Sequence, residues 1–407
     1  MNKLLRDYLP VIFCVFLSFT QLKVYLPFIN SLAIMFLGLI LSFLYYKGFY
    51  KQSLLGWLCL YAVVLLVNNF IGDYYFKLIT NVAEEICVLV FPAALSYFII
   101  THKKYKMAVL LVYSFFFLII YSAIASFIVC SMFPDPIRTS VFFLNQGEMS
   151  TLNLYYGMGM VTYKFCHALP IVIPALLYSI LRSNKSKTFK ITAFATLISL
   201  LLIVYLSNAT TAFLLTLYAL AASLFVSEKS LKATIFRIIG VMVVFVLLVI
   251  RSDLLVDLIN SIGSLLPENE NSYLERLNDI KLATDSGNIS GDLDSRVSRY
   301  NESVSVFVED IFFGSNMQTG EHSAILDRLA CLGLVGWIPY LVYIVKNTLS
   351  QNYLLQKEIR PYFVIGASVA LLLLATKNMS YWDTWFMYFC LLPVLLWLSS
   401  LDQIEVE

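Results

Sequence analysis

Long apolar runs separated by short polar loops extend over almost the whole chain. A hydrocarbon core about 30 Å thick requires about 20 mainly apolar residues per helix, because every backbone N–H and C=O must be satisfied within the segment. Twelve segments meet this requirement: Tyr8 to Leu26, Phe28 to Tyr46, Leu54 to Ile71, Ile86 to Ile100, Met107 to Met132, Val161 to Leu181, Phe189 to Leu206, Thr211 to Val226, Ile235 to Ile250, Ala324 to Val345, Tyr362 to Thr376 and Trp385 to Leu401. The pattern predicts an all-α polytopic membrane protein with about twelve transmembrane helices.

Two pairs of these segments are separated by very short links, at residues 21–28 and 207–211. Either pair could form one re-entrant hairpin, so ten to thirteen spans are compatible with the pattern. The predicted organisation is a bundle of about nine helices over residues 1–250, a long loop over 251–323, and about three helices over 324–407.

Composition supports the membrane interpretation. Hydrophobic residues make up 60% of the chain and charged residues 13%, whereas soluble domains have roughly 45–50% apolar and about 25% charged residues. Lys3 and Arg6 precede an apolar run with no small-residue cleavage site after it, which predicts a signal-anchor rather than a cleaved leader. The seven cysteines lie in or beside apolar segments, so neither a disulfide framework nor a zinc site is expected.

The distribution of basic residues predicts the orientation, because Lys and Arg in short loops resist translocation. With a cytoplasmic N-terminus, 17 of the 28 basic residues fall in cytoplasmic segments and five in the short loops of the opposite face. Both termini are therefore predicted to be cytoplasmic, and the long loop at 251–323 non-cytoplasmic.

Polar chemistry is concentrated on that non-cytoplasmic side, in residues 70–85, 133–164 and 251–323. The chain has neither a Walker pattern nor a dinucleotide fingerprint, so an enzymatic site is expected to face outward. Apolar residues recur at helical spacing over 254–262, 274–280 and 297–311, which predicts amphipathic helices lying on the bilayer or capping the bundle.

The third amphipathic helix is predicted to open after Asp294 or Ser295 and to close at Gly314. Arg296 and Arg299 stand three residues apart on one face. Guanidinium groups suit a diphosphate because they present a rigid fork of donors and keep their charge, but a solvated helix face has the same spacing.

His322 lies at the mouth of the tenth span, where it could act as a general base or hydrogen-bond a sugar. An interfacial histidine with a structural hydrogen bond fits the same position. Asp327 and Arg328 enter the tenth span one turn inside it, which is compatible with either a cavity lining or an interfacial ion pair.

Three further places are weaker candidates. Lys164 and His167 open the sixth span and could approach the site, or be a snorkelling lysine and a packed histidine. Arg138 could contact phosphate or be a surface charge. Asp383 stands among aromatic residues that could stack on sugars or form an interfacial belt.

The stretch from Asp294 to Tyr343 combines arginines on an amphipathic helix, a glycine, a histidine and a span with the sequence Gly-Leu-Val-Gly. This arrangement resembles the O-antigen polymerase and ligase superfamily. Ser323 follows the histidine where that family has asparagine, which favours a polymerase over a ligase.

The resemblance implies a glycosyltransferase of the bacterial inner membrane that uses no nucleotide or metal cofactor. It would transfer a growing glycan from undecaprenyl diphosphate to a new lipid-linked repeat unit at the periplasmic face. The implied roles are acceptor activation by His322, with Glu321 as the substitute base, and diphosphate binding by Arg296 and Arg299, with Arg138 and Lys164 as weaker contributors.

The implied partners are the lipid-linked oligosaccharide, membrane lipid, a chain-length regulator and a flippase, and no nucleic acid. An O-antigen ligase, a lipid-linked oligosaccharide transporter and a membrane scaffold or sensor are the alternatives.

Overall fold

The computed structural model describes residues 4–27, 29–50, 52, 54–71, 78–133, 135–226, 239–240, 291–315 and 322–401. Within these ranges every regular element is a helix. The α-helices are α1 (Leu9–Ser18), α2 (Thr20–Tyr25), α3 (Ser31–Tyr45), α4 (Lys47–Tyr50), α5 (Leu54–Ile71), α6 (Leu78–Thr101), α7 (Tyr105–Met132), α8 (Pro136–Gln146), α9 (Met149–Gly157), α10 (Tyr163–Ala168), α11 (Ile173–Leu181), α12 (Lys187–Leu206), α13 (Thr210–Leu224), α14 (Gly291–Glu309), α15 (Ala324–Leu354), α16 (Arg360–Thr376), α17 (Trp382–Phe386) and α18 (Leu392–Ser400).

Six helical segments in the described ranges are long and apolar enough to cross a membrane: Val82–Thr101, Tyr105–Met132, Tyr163–Leu181, Lys187–Leu206, Ala324–Leu354 and Trp382–Ser400. Four shorter apolar helices accompany them, namely α3, α5, α13 and α16. The predicted class, an α-helical membrane protein, is confirmed; the predicted count of twelve spans is not.

The first predicted span is not one helix. It is divided into α1 and α2 at Phe19, whose backbone is extended (φ −104°, ψ 94°). The ninth predicted span and the amphipathic helices predicted at 254–262 and 274–280 lie outside the described residues, apart from positions 239–240.

The last span is the centre of the bundle. From Trp385 to Leu398 its side chains are buried on every side of the helix, as expected of a helix that is apolar all round rather than along one stripe. Its core is largely aromatic, with Trp385 stacked on Phe389 at 5.1 Å between ring centroids. Helices α6, α7, α11 and α16 pack around it.

Helix α15 is broken at Gly333, whose backbone is left-handed (φ 56°, ψ −168°). Segment 310–315, which follows α14, crosses the break and satisfies its backbone groups. The N–H groups of Leu334 and Val335 donate to the carbonyls of Ile311 (2.9 Å) and Phe312 (3.1 Å), and Ser315 N–H donates to Ala330 O (2.9 Å). Such pairing is required where a helix is interrupted at membrane depth.

We expect Gly333→Ala to destabilise the protein by about 1–3 kcal/mol, because this backbone region is accessible essentially only to glycine. An added Cβ would also collide with the backbone of Phe312. Gly56→Ala is the matched control, since nothing lies within 4 Å of a Cβ there. Thermal unfolding in detergent compares the two, and equal midpoints would contradict the role assigned to the break.

Candidate functional site at the beginning of helix α15

Helix α14 holds the predicted arginines, but its bounds differ from the prediction. It begins at Gly291, before Asp294, and ends at Glu309 rather than at Gly314. The early end is explained by segment 310–315, where Gly314 has a positive φ of 72° and packs against the backbone of Cys331. The chain leaves the helix here and forms hydrogen bonds with the backbone groups at the break in α15.

Arg299 and His322 lie side by side. Arg299 Nη1 is 3.5 Å from His322 Nδ1, and the arginine is exposed. Because a guanidinium can only donate, the imidazole Nδ1 is the acceptor in this contact. Arg296 lies one turn earlier in the same helix, and its side chain and the whole of Glu321 lie outside the described residues.

The two residues are held by a buried carboxylate. Asp327 accepts from Ser303 Oγ (3.0 Å), one turn after Arg299, and from the backbone N–H of Ser323 (3.2 Å), next to His322. Ser323 also caps α15, since its Oγ accepts from Leu326 N–H (3.2 Å). Asp327 therefore joins α14 to the start of α15 and fixes the arginine beside the histidine.

The sequence left open whether Arg328 lines a cavity or forms an ion pair. In the structure it does both. Its Nη2 forms an ion pair with Glu85 at 2.5 Å and donates to Ser380 Oγ at 2.8 Å. Its Nε donates to Tyr61 OH (3.2 Å), and its guanidinium lies 4.6 Å from the ring centroid of Tyr340.

A cavity of about 320 Å³ lies between α5, α6, α15 and the loop at 377–381. Asp327, Arg328 and Glu85 line it, together with the side-chain amides of Asn68, Asn69 and Asn378. Because Asp327 also binds Ser303 and Ser323, the cavity lies next to the Arg299–His322 pair. The volume is at the lower end of the range of small-ligand sites.

Lys164 approaches the cavity from another side. Lys164 Nζ lies 3.4 Å from the ring centroid of Tyr381, which lines the cavity. The charges of Lys164 and Lys23 both act on the half-buried Asp383 carboxylate. The structure thus places Lys164 on the ring of Tyr381 and within electrostatic reach of Asp383.

His167 and Arg138 lie elsewhere. His167 is fully buried, its Nδ1 is 2.9 Å from the carbonyl of Tyr163, and its ring packs on the Tyr163 ring. Arg138 is half-buried on α8, and none of the hydrogen bonds among described residues joins it to Arg299 or Lys164. The burial and ring contact of His167 fit the packed histidine that was one of its two alternatives.

Sequence reasoning missed Glu85, Tyr61 and Lys23. Glu85 had a signal, since it stands at the edge of an apolar segment as Arg328 does, and ionisable groups there need partners. Nothing in the sequence pointed to Tyr61 or Lys23, because their contacts come from chain segments far away in sequence. Within the described ranges, no group of three or more His, Cys, Asp or Glu side chains could hold a metal ion.

No protein-family model matches the chain, and no curated protein matches it.

Proposed function

We propose that the protein polymerises lipid-linked oligosaccharide repeat units by transferring the growing glycan from undecaprenyl diphosphate to a new repeat unit. The observation that supports the proposal best is the 3.5 Å approach of Arg299 and His322 beside a cavity at the start of α15. A donor of fixed positive charge and a proton acceptor are the two groups that such a transfer requires.

The reaction breaks the bond between the sugar and the diphosphate, and it forms a bond to an acceptor hydroxyl. The departing diphosphate gains negative charge, which Arg299 and Arg296 stabilise through hydrogen bonds that strengthen as the charge develops. The acceptor hydroxyl gives its proton to Nδ1 of His322 once the Arg299 guanidinium has turned from that nitrogen to the diphosphate. Glu321, the neighbouring residue, is the substitute base.

The proposal includes a bundle of twelve spans in the bacterial inner membrane, with both termini in the cytoplasm and the site facing the periplasm. The excess of basic residues in the opposite loops supports this orientation. Exposed apolar side chains on α14 and segment 310–315, such as Val308 (63%) and Phe312 (64%), fit contact with the bilayer surface. The diphosphate would then be bound at headgroup level.

Reconstitution of the full-length protein with the host's lipid-linked repeat unit tests the proposal. We expect a ladder of glycan lengths on gels after incubation. A ligase would instead transfer glycan to lipid A core without lengthening it, and a transporter would move the repeat unit across the vesicle membrane unchanged. Either of those products without a ladder would contradict the proposal.

Topology is tested separately by reporter fusions and protease access at residues 251–323. The proposal requires this loop to be outside the cytoplasm. A cytoplasmic signal from it would contradict the proposed periplasmic site.

A further inference from the structure

Among its described lining residues, the cavity beside the Arg299–His322 pair has polar groups but no cation with a fork of donors open to phosphate. The guanidinium of Arg328 is the positive group that lines it. Four of its five N–H donors are used: Nε by Tyr61, Nη1 by the carbonyl of Ala324, and Nη2 by Glu85 and Ser380. Its flat face is covered by Tyr340. It therefore has no free fork of donors for a phosphate group.

The balance of charge in the cavity also disfavours an anion. Among the described lining residues, two carboxylates, Glu85 and Asp327, stand against the single guanidinium of Arg328. Like charges within a small, partly desolvated space repel strongly. A neutral ligand therefore fits these lining residues better than an anion does.

The other lining groups suit a ligand rich in hydroxyls. Asn68, Asn69 and Asn378 bring three side-chain amides to the cavity. The Asn68 amide is bonded to Cys331, and an Asn69 N–H donates to the carbonyl of Leu65. The Asn378 amide, which carries both donors and an acceptor, is therefore the one assigned to the ligand. Tyr381 adds an aromatic ring that is 37% exposed. An apolar ring face beside amides matches a sugar, which has an apolar C–H face and polar edges.

We infer that this cavity binds the sugar that carries the diphosphate, while Arg299 binds the diphosphate itself. This inference rests on the proposed function and divides the substrate between two adjacent parts of one site. The connection is Asp327, which lines the cavity and is bonded to Ser303 on the arginine's helix and to Ser323 beside His322. A sugar in the cavity can therefore place its phosphate-bearing carbon towards Arg299.

Binding to the full-length protein in lipid nanodiscs tests the inference. One probe is a panel of methyl glycosides of common hexoses and N-acetylhexosamines, whose binding is detected by saturation-transfer NMR. The other is inorganic pyrophosphate, whose binding is detected from its phosphorus NMR signal. We expect at least one glycoside to bind, and its affinity to fall about fivefold to tenfold in Tyr381→Ala and in Asn378→Ala, which is the loss expected for one contact. Pyrophosphate affinity should fall in Arg299→Ala and remain unchanged in Asn378→Ala.

Tyr353→Ala is the matched control, because Tyr353 is an exposed tyrosine that also lies beneath a cation, Arg360, at 5.6 Å. Glycoside affinity should be unchanged in this variant, and Tyr381→Phe should retain binding because the ring remains. The inference is overturned if no glycoside shows a signal that depends on Tyr381 and Asn378, or if pyrophosphate binding depends on Asn378.

The two proposals can fail independently. Cavity-dependent glycoside binding without chain growth in the reconstituted system would reject the polymerase and support the saccharide site. Chain growth that is unaffected by Tyr381→Ala and Asn378→Ala would support the polymerase and reject the saccharide site.

Discussion

Arg299→Ala is expected to lower the rate of glycan chain growth by about a hundredfold to a thousandfold, the loss typical when a charge-stabilising donor is removed from an active site. Arg299 is exposed and approaches His322 through one long contact of 3.5 Å, so its removal should leave the fold intact. Chain growth by the reconstituted protein, with the amount of folded protein measured by size-exclusion chromatography, gives the result. Arg299→Lys should retain partial activity, since lysine keeps the charge but loses the fork of donors.

Asn301→Ala is the control for Arg299→Ala, because Asn301 is exposed on the same helix two residues away. This variant should polymerise at the unaltered rate. An unchanged ladder from Arg299→Ala would show that the arginine belongs to a solvated helix face, and the proposed diphosphate site would then be rejected.

Much of the architecture was predictable because the bilayer imposes a strict length and polarity on each span. Helix α5 has the predicted bounds, Leu54 to Ile71, and α7 and α16 begin two residues before theirs. The larger errors in the predicted helix bounds occur where polar residues extend a helix beyond its apolar run. Helix α6 begins at Leu78, well before the predicted Ile86, and in its added turns Val82 is buried and Glu85 forms an ion pair with Arg328 rather than lying in a loop.

The break in α15 could not be predicted from the apolar pattern. Gly333 belongs to the Gly-Leu-Val-Gly sequence, and the pattern alone gives a continuous span from Ala324. The break depends on segment 310–315, which supplies the missing backbone partners. A helix can be interrupted in an apolar environment only where other groups complete its hydrogen bonds, and here those groups belong to a separate chain segment that the fold brings to the break.

Part of the candidate site was predictable for a similar reason. The spacing on α14 and the place of His322 before a span are local features, and the structure brings Arg299 and His322 together. The partner of Arg328 is not local, since Glu85 is 243 positions away. The sequence could show that Arg328 needs a partner or a cavity, but not that it has both.

Its pairing makes Arg328 a structural residue whose loss should have a large effect on stability. The ion pair is mostly shielded, with side-chain exposures of 15% for Arg328 and 18% for Glu85. Arg328→Met leaves the Glu85 carboxylate without its cation, and we expect a loss of about 3–5 kcal/mol, as for other buried pairs broken from one side. The midpoint of thermal unfolding in detergent measures this loss.

The double variant Arg328→Met with Glu85→Leu is expected to recover most of the lost stability, because apolar residues of similar volume can replace a buried pair at little cost. Arg6→Met is the control. Arg6 is 37% exposed, and its partner Asp7 keeps Lys104 at 3.5 Å, so the change should be within about 1 kcal/mol. A double variant as unstable as Arg328→Met would contradict the pairing, because the defect would then come from the other contacts of the guanidinium rather than from an uncompensated carboxylate.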